Sequence, residues 1–400
     1  MKKLLLAASA ISLIAGAAVA EDVKIGTLLG ITGPIESIAP NMFAAVDLAI
    51  KEVNDSGKAA NDWVFQSIRA DSTCIHAAAA TAAAERLITV EGVKGIVGGD
   101  CSGVTRAVLT NLAMPNGMVM VSPSATSPAL TTDPDDGLFF RTVPSDAREG
   151  VVMADILEAR GVKSIALTYS NSDYGKGLAE AIANAFTAKG GTVTINASHD
   201  DGKADYSAEV GALAAAGGDV LVVAGYIDQG GKGIIQAAVD SGAFTTFGLP
   251  GGMYGESLIA AIGAPLNGSF GQHASSASDG YTAFLDLAKA ADPSFDGSTN
   301  FSANSYDAAA LIMLAMQAAN STDPKVYKDK VMEIANGPAD GSGTKIKAGE
   351  LGKALELIAA GTAIDYDGAT GVTLLDGGDA SGTFSEDEIK DGKWVSVGYR

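Results

Sequence analysis

The chain has 400 residues, of which 47% are hydrophobic and 18% are charged. This length and apolar content are typical of two or three globular units, and they exclude a disordered chain or a small disulfide-stapled scaffold. The net charge of −20 excludes the basic surface that nucleic-acid binding requires. Three histidines and two cysteines are too few for a clustered zinc site, and we expect neither a metal ion nor a cofactor.

Residues 1–20 have the three parts of a secretory signal peptide. Lys2 and Lys3 precede an apolar run over residues 4–17, and Ala18-Val19-Ala20 forms a cleavage site of the A-x-A type. A membrane anchor is the alternative, but the run is shorter than the roughly 20 residues that a bilayer span needs. We therefore expect cleavage after Ala20 and a soluble mature chain in a bacterial periplasm.

The two cysteines, Cys74 and Cys101, are predicted to form a disulfide bond, because an exported chain folds in an oxidising compartment. A reactive thiol at Cys101 is the alternative. No cationic partner stands nearby in the sequence to activate such a thiol, so we favour the disulfide.

Short β-branched runs alternate with alanine-rich stretches after the signal peptide. The pattern predicts strands over 23–29, 63–70, 95–98 and 117–121, and helices over 42–54, 76–90 and 105–113. Strands and helices that alternate at this spacing predict a parallel sheet covered by helices on both faces.

The same alternation restarts after an interruption at Thr142-Val143-Pro144. It predicts strands over 164–169, 192–195 and 220–224, and helices over 175–189, 206–216 and 231–241. Two successive units of one architecture predict an α/β protein with two doubly wound parallel-sheet lobes.

The pattern changes after about Gly271. Helices over 279–291 and 304–320 have no partner strands, and residues 336–382 are rich in Gly, Asp and Thr. Because these helices cannot complete a third lobe, we expect them to pack on the first lobe, with the run 383–397 returning to the second. The prediction is a multi-strand hinge between an N-terminal lobe (21–142 plus 274–380) and a C-terminal lobe (143–273 plus 381–400).

Two segments rich in small hydroxyl residues follow strands of the predicted first lobe. Ser102 follows the third strand, and Ser124 and Thr126 follow the fourth. Ligands of open α/β sheets bind beyond the carboxyl ends of the strands, where free backbone N–H groups point into the crevice. These segments therefore predict a cradle for a carboxylate, without a charged side chain. Helix capping by the same hydroxyls is an equally good explanation at this point.

Aromatic residues occupy the equivalent strand ends of the predicted second lobe. Tyr174 and Tyr226 each follow a strand, and a tyrosine offers a large apolar face with a polar tip, which suits closure over a small molecule. Packing at the edge of the lobe is the alternative. We interpret Asp228 as the N-cap of the helix that begins near Gly231, in preference to a ligand-binding residue.

The order of these motifs resembles the periplasmic branched-chain amino-acid-binding proteins of ABC importers. The resemblance runs from residue 21 to about residue 320 and rests on the Cys74/Cys101 spacing and on Thr32-Gly33-Pro34, Cys101-Ser102, Ser122-Pro123-Ser124-Ala125-Thr126, Tyr174-Gly175-Lys176-Gly177 and Gly225-Tyr226. It implies a type I periplasmic binding fold and a monomeric receptor that closes around its ligand without catalysis. It also implies an inner-membrane ABC permease as the partner.

The resemblance implies a role for each of the candidate residues. The ligand carboxylate would be held by Ser102, by the backbone of Ser124 and by both the backbone and the hydroxyl of Thr126. Tyr174 and Tyr226 would face it from the second lobe.

Two positions depart from the family pattern. Ile38 stands where a tyrosine is expected, and Gly251 stands where the family has the acid that pairs with the ligand ammonium. A buried ammonium without an anionic partner costs several kcal/mol, so an amino acid is bound well only if another acid reaches the cleft. The candidates for that acid are Asp100, Asp228 and Glu256. If none reaches the cleft, the ligand is a carboxylate or amide that lacks an α-amino group.

Three functions are open from the sequence. The first is capture of a small carboxylate-bearing ligand, a branched-chain or related amino acid or an organic acid, for an ABC importer. The second is a sensor module that presents the same kind of ligand, or a small amide, to a receptor. The third is an exported hydrolase that uses Ser102 or Cys101, and its cysteine version requires a free thiol.

Overall fold

A computed structural model describes residues 21–400, so the predicted signal peptide at 1–20 lies outside the described residues. Its first sheet is parallel throughout, with the strand order β2-β1-β3-β4-β5. The strands are β1 (Asp22–Leu29), β2 (Val64–Asp71), β3 (Ile96–Gly98), β4 (Met120–Ser122) and β5 (Phe139–Arg141). The helices between them are α1 (Ala39–Ser56), α2 (Ala77–Arg86), α3 (Ser102–Val108), α4 (Met114–Asn116) and α5 (Ala129–Thr132). This sheet and the helices on it are called the first lobe below.

A second sheet is built from the middle of the chain. Its parallel part contains β6 (Ser164–Ser170), β7 (Thr192–His199), β8 (Val220–Ala224), β9 (Phe247–Leu249) and β10 (Phe270–Ala274). The helices are α6 (Asp146–Ala159), α7 (Asp173–Ala188), α8 (Ser207–Ala216), α9 (Gly230–Ser241) and α10 (Glu256–Ile262). This unit is the second lobe.

The chain then returns to the first lobe, as expected. The helices there are α11 (Asp279–Ala291), α12 (Ser302–Ala319), α13 (Pro324–Asn336) and α14 (Leu351–Ala359), and a small parallel sheet pairs β11 (Thr344–Lys347) with β12 (Ile364–Gly368). Helix α12 packs against α1 and α13 and is buried on every side, in the same core as Val97 of β3 and Phe140 of β5. It is therefore the central helix of the first lobe's core.

The chain ends in the second lobe. Strand β13 (Phe384–Lys390) pairs antiparallel with β10, and β14 (Lys393–Tyr399) pairs antiparallel with β13. The chain thus passes between the sheets three times, which is the predicted multi-strand hinge of a type I periplasmic binding fold. The exact lobe bounds, 21–142 plus 274–380 and 143–273 plus 381–400, stay a prediction. Between residues 21 and 400, no helix has both the length and the apolar character needed to cross a membrane.

Several elements were not predicted from the sequence. The three-residue strands β5 and β9 are too short to show an alternating pattern. Helix α6 was missed because Asp146 and Glu149 lie on its buried face and interrupt the apolar periodicity. The Gly- and Asp-rich stretch, for which no strand was expected, contains β11, α14 and β12.

Cys74 and Cys101 form the predicted disulfide bond, with an S–S distance of 2.08 Å. Both residues are buried, and the bond ties the segment after β2 to the residue that precedes α3. The reactive-thiol alternative at Cys101 is therefore wrong.

Replacing both cysteines by serine is expected to lower the free energy of unfolding by about 3–4 kcal/mol, because the closed loop restricts the unfolded chain. Urea unfolding of the oxidised protein and of the double variant measures the difference. Equal midpoints and slopes would contradict this prediction, and a thiol assay of the denatured native protein provides the control for full oxidation.

Candidate functional site

A small cavity lies between the two lobes, at the carboxyl ends of the strands. The loops that follow the strands of the first sheet contribute Ile35, Ile38, Asp100, Cys101, Ser102, Ser124 and Thr126 to its wall. The other residues of the wall are Glu149, Tyr174, Tyr226, Gly252 and Phe301. Five of the six predicted ligand-binding residues are thus brought together, and the sixth, Gly251, adjoins Gly252. The enclosed space is about 20 Å³, so a ligand enters only when the lobes separate.

The hydroxyl of Ser102 does not cap a helix. Ser102 is the first residue of α3, whose N-terminus has no side-chain cap, and its Oγ accepts a hydrogen bond from the N–H of Ser127 at 3.0 Å. A serine hydroxyl that accepts one bond still has its hydrogen to donate. The contact therefore ties α3 to the loop over 122–128 and leaves the hydroxyl hydrogen available to a ligand oxygen.

The hydroxyl of Thr126 makes no hydrogen bond of full geometry within residues 21–400, although the residue is only 4% exposed, and its polar neighbour there is the Asp146 carboxyl, whose pKa it lowers. A buried hydroxyl without a partner costs free energy that a ligand acceptor would recover. Ser124 behaves differently, because its Oγ donates to the carbonyl of Asp100 at 2.9 Å. The side chain of Ser124 thus supports the loop, and its backbone N–H makes only a long hydrogen bond, of 3.4 Å, to Ser122 Oγ. Binding of a ligand by the backbone of Ser124 stays a prediction.

Arg141 stabilises the loop over residues 122–128 by hydrogen bonds to its carbonyl groups. Its Nη1 donates to the carbonyls of Ala125 and Ser127, at 3.0 Å each, and its Nε donates to Asp379 at 2.7 Å. The guanidinium is fully buried, and burial lowers its pKa. This role could not be predicted from the sequence, because Asp379 lies far from Arg141 along the chain.

The two tyrosines form the opposite wall of the cavity. Their rings stack with centroids 5.0 Å apart, and the hydroxyl of Tyr174 accepts the N–H of Gly252 at 3.0 Å. Burial raises the pKa of both phenols, so both stay neutral. A Cβ on Gly252 would lie 2.5 Å from the Tyr174 hydroxyl, so a glycine is required for this approach.

None of the three candidate acids is free to bind an ammonium in the cavity. Asp100 lines the cavity, but its carboxylate already accepts from Gly30 N–H, Ser72 Oγ and Cys101 N–H. Glu256 lines a different cavity, and Asp228 lies outside the small one. These candidates were therefore wrong as free carboxylates.

The carboxylate that does reach the cavity is Glu149 of α6. Glu149 lines the cavity, and its Oε1 accepts the N–H of Gly251 at 2.7 Å. Asp146 lies one turn earlier on the same buried face, where its carboxyl group interacts with the Glu149 carboxyl and the Thr126 hydroxyl. Burial raises the pKa of both carboxyl groups, and for Asp146 the charge of Glu149 raises it further.

Three larger cavities occur among the described residues. Two of them, of about 890 Å³ and 430 Å³, each lie on a single lobe, the first between α8 and α9 and the second beside α13 and β12. The third, of about 400 Å³, also lies between the lobes, with Asn41 on one side and Tyr254 and Trp394 on the other. We take the small cavity as the site because the hydroxyls of Ser102 and Thr126 and the two tyrosines converge there at the carboxyl ends of the strands.

Comparison with known proteins agrees with this architecture. The family described as periplasmic binding protein matches residues 22–349. The chain belongs to the periplasmic binding protein family. The resemblance drawn from the sequence motifs is thereby confirmed at the level of the family.

Individual relatives of this periplasmic binding protein differ in their described roles. The chain is 29% identical over 373 residues to the chemotactic signal transduction system substrate-binding protein BasB of Halobacterium salinarum, covering 88% of this chain and 83% of the relative. It is 28% identical over 335 residues to a leucine-, isoleucine-, valine-, threonine- and alanine-binding protein of Pseudomonas aeruginosa, covering 80% and 85%.

Solved structures show the fold. A leucine-binding protein from Thermotoga maritima superposes with a TM-score of 0.78 at 20% identity, covering 94% of this chain and 98% of the other. A solute-binding protein from Rhodopseudomonas palustris in complex with p-hydroxybenzoic acid gives 0.76 at 19% identity, covering 95% and 97%.

The two lobes of this periplasmic binding protein are in contact across the cleft through Asp228. Its carboxylate accepts from the N–H of Ser37 at 2.9 Å and from the hydroxyl of Ser257 at 2.9 Å, and its own N–H donates to the carbonyl of Pro34 at 3.0 Å. The N-cap interpretation of Asp228 was wrong, since α9 is preceded by Gln229 and has no side-chain cap. Asp228 instead joins the second lobe to the segment between β1 and α1.

Replacing Asp228 by alanine is expected to weaken ligand binding by about three- to tenfold, because partly exposed hydrogen bonds to a charged group contribute at the low end of their range. The loss should appear mainly as faster ligand release, measured by stopped-flow fluorescence. Glu180→Ala, an exposed acid of α7, is the matched control. Equal release rates in the two variants would show that Asp228 does not stabilise the closed form.

Proposed function

We propose that the mature chain is the solute-binding component of an ABC importer and that it captures a small carboxylate-bearing solute between its lobes. The solute would be a branched-chain or related amino acid or an organic acid. One observation carries this proposal: the buried hydroxyl of Thr126 lines the cleft and makes no hydrogen bond of full geometry among the described residues. A ligand carboxylate placed there would supply the missing acceptor.

The rest of the cavity is consistent with a small organic anion. Ser102 can donate its hydroxyl hydrogen to the second carboxylate oxygen, and charge-assisted hydrogen bonds of this kind are about twice as strong as neutral ones. Ile35, Ile38 and Phe301 offer apolar contacts for the remainder of the ligand. Closure of the lobes would then exclude water from the carboxylate and from the apolar part of the ligand.

The family membership supports a periplasmic location and a monomeric receptor that meets an inner-membrane permease. The leader at 1–20, with cleavage after Ala20, is part of this proposal. The mass of the protein recovered from a periplasmic extract tests it, since the mature chain would begin at Glu21.

Binding proteins, rather than enzymes, are the relatives of this chain, which supports the absence of catalysis. The cysteine version of the hydrolase hypothesis is wrong, because Cys101 is bonded to Cys74. The serine version finds no support in the described cavity, whose lining includes no histidine to act as a base for Ser102.

A sensory role is the second candidate, and the similarity to BasB favours it specifically. Transport and sensing use the same pocket, so they differ only in the protein that receives the closed form. Uptake of radiolabelled ligand and a chemotaxis assay, each in cells that lack this protein, distinguish the two roles.

Calorimetric titration of the purified mature chain tests the proposal directly. The panel is leucine, valine, alanine, benzoate and a short-chain amide. We expect saturable 1:1 binding of at least one carboxylate. Binding of the amide alone, or of no member of the panel, would overturn the proposed function.

A further inference from the structure

The carboxylate of Glu149 occupies the space that a side chain at position 251 would fill. A Cβ built on Gly251 would lie 3.4 Å from Oε1 and 3.8 Å from Oε2 of Glu149. Position 251 has no left-handed backbone conformation, so the glycine is not required by the fold at that residue. The family has an acidic side chain at position 251, and in this chain the carboxylate of Glu149, which belongs to α6, lies in the space that this side chain would occupy.

One oxygen of this carboxylate is available to a ligand. Oε1 accepts the N–H of Gly251 at 2.7 Å and lies 3.5 Å from Nε2 of Gln272. Within residues 21–400, no N–H or hydroxyl group donates to Oε2, and the side chain that interacts with Glu149 besides Gln272 is the Asp146 carboxyl. Glu149 lines the cavity together with Thr126 and Tyr174. An ionised carboxylate can accept about four hydrogen bonds, so this one has unused capacity.

The charge around Glu149 is not balanced by the described side chains. Asp146 adds a second buried carboxyl group on the same face of α6, and burial together with the charge of Glu149 raises the pKa of Asp146 well above its usual value. The charge of Arg141 acts on Asp146, but its guanidinium is already held by Asp379 and by two loop carbonyls, and no cationic side chain of residues 21–400 forms an ion pair with Glu149. Burial of an unpaired carboxylate is costly, and a cation that enters the cavity would recover part of that cost.

We infer that Glu149 binds a protonated nitrogen of the ligand through Oε2, while Ser102 and Thr126 hold its carboxylate, so that the protein selects zwitterionic amino compounds over simple organic acids. Asp146 lies one turn earlier on the same buried face of α6. This inference rests on the proposed function, because it presupposes that the carboxylate is bound in the same cavity.

Two other roles for Glu149 make different predictions. A purely structural Glu149, which only positions Gly251 and Gln272, would affect all ligands equally. A protonated Glu149 could instead donate to an uncharged or anionic ligand, which would favour organic acids. Discrimination between an amino acid and its deamino analogue separates these roles from the inferred one.

The experiment compares matched ligand pairs by calorimetry with the native protein and with Glu149→Gln. The pairs are alanine and propanoate, valine and 3-methylbutanoate, leucine and 4-methylpentanoate, and phenylalanine and 3-phenylpropanoate. Glutamine keeps the acceptor for Gly251 N–H and removes the charge. Glu158→Gln, at the exposed end of the same helix, is the matched control.

The native protein should bind the preferred amino acid at least about 30-fold more tightly than its deamino analogue, which corresponds to one charge-assisted hydrogen bond. In Glu149→Gln this preference should fall to about threefold or less, with little change in binding of the analogue. Glu158→Gln should keep the native preference. Thermal unfolding of each variant checks that the fold is retained.

A second variant, in which the carboxylate is moved from position 149 to position 251, separates loss of the charge from structural damage caused by the substitution at Glu149. Adding Gly251→Asp to Glu149→Gln returns a carboxylate to the same space and should recover about tenfold of the lost amino-acid affinity. If Glu149→Gln weakens both members of a pair equally, or if the native protein binds the analogue as tightly, the inference fails and the proposed function stands. If the native protein binds no acid of either kind, both fail.

Discussion

Arg141→Met is expected to lower the free energy of unfolding by about 3–5 kcal/mol, the usual cost of removing one partner from a buried ion pair. The variant would leave Asp379 buried without its guanidinium, and it would leave the carbonyls of Ala125 and Ser127 without donors. Urea unfolding followed by circular dichroism measures the loss. Ligand affinity should fall as well, because these carbonyls fix the loop that carries Thr126.

The control for Arg141→Met is the double variant Arg141→Met/Asp379→Leu, which removes the stranded carboxylate together with the guanidinium. It should regain part of the lost stability, since a buried pair can be replaced by apolar residues at little cost. Its ligand affinity should stay low, because the loop carbonyls are still without donors. Equal stability of the single and double variants would contradict the buried ion pair as the cause.

Thr126→Ala and Ser102→Ala are each expected to weaken binding of the carboxylate ligand by about tenfold or more, since each removes one hydrogen bond to a charged group. The loss at Ser102 should be the larger, because its Oγ also satisfies the buried N–H of Ser127. Calorimetry of the two variants with the ligand preferred by the native protein measures both losses.

Two further variants separate ligand contact from general damage to the loop. Thr126→Ser keeps the hydroxyl and should retain most of the affinity. Thr132→Ala removes an exposed hydroxyl of α5 that bonds only within its own helix, and it should bind like the native protein. Unchanged affinity in both Thr126→Ala and Ser102→Ala would remove the proposed cradle.

The sequence predicted the fold well where its elements are long. Strand β1 and helices α7, α9 and α11 were found within a few residues, because each has a regular pattern of apolar residues. The misses share a physical cause. Short strands give no alternation, and α6 carries buried acids at positions where an amphipathic helix carries apolar residues.

The candidate site was predicted in part. The loop residues Ser102, Ser124 and Thr126 could be found because loops after parallel strands converge at one edge of a sheet. Glu149 could not be found this way, since a single glutamate in a helix is most often a solvated residue. Its role depends on the distance to Gly251, which is set by the packing of α6 against the second sheet. The departure at Gly251 was the only signal that a replacement acid should be sought.

The decisive experiment is a crystal structure of the mature protein with the tightest-binding acid of the titration. We expect the ligand carboxylate within hydrogen-bond distance, about 2.7–3.2 Å, of the hydroxyls of Ser102 and Thr126. We also expect Tyr174 and Tyr226 on the opposite side of the ligand. A ligand bound elsewhere, with residues 124–126 in contact only with protein or water, would contradict this expectation.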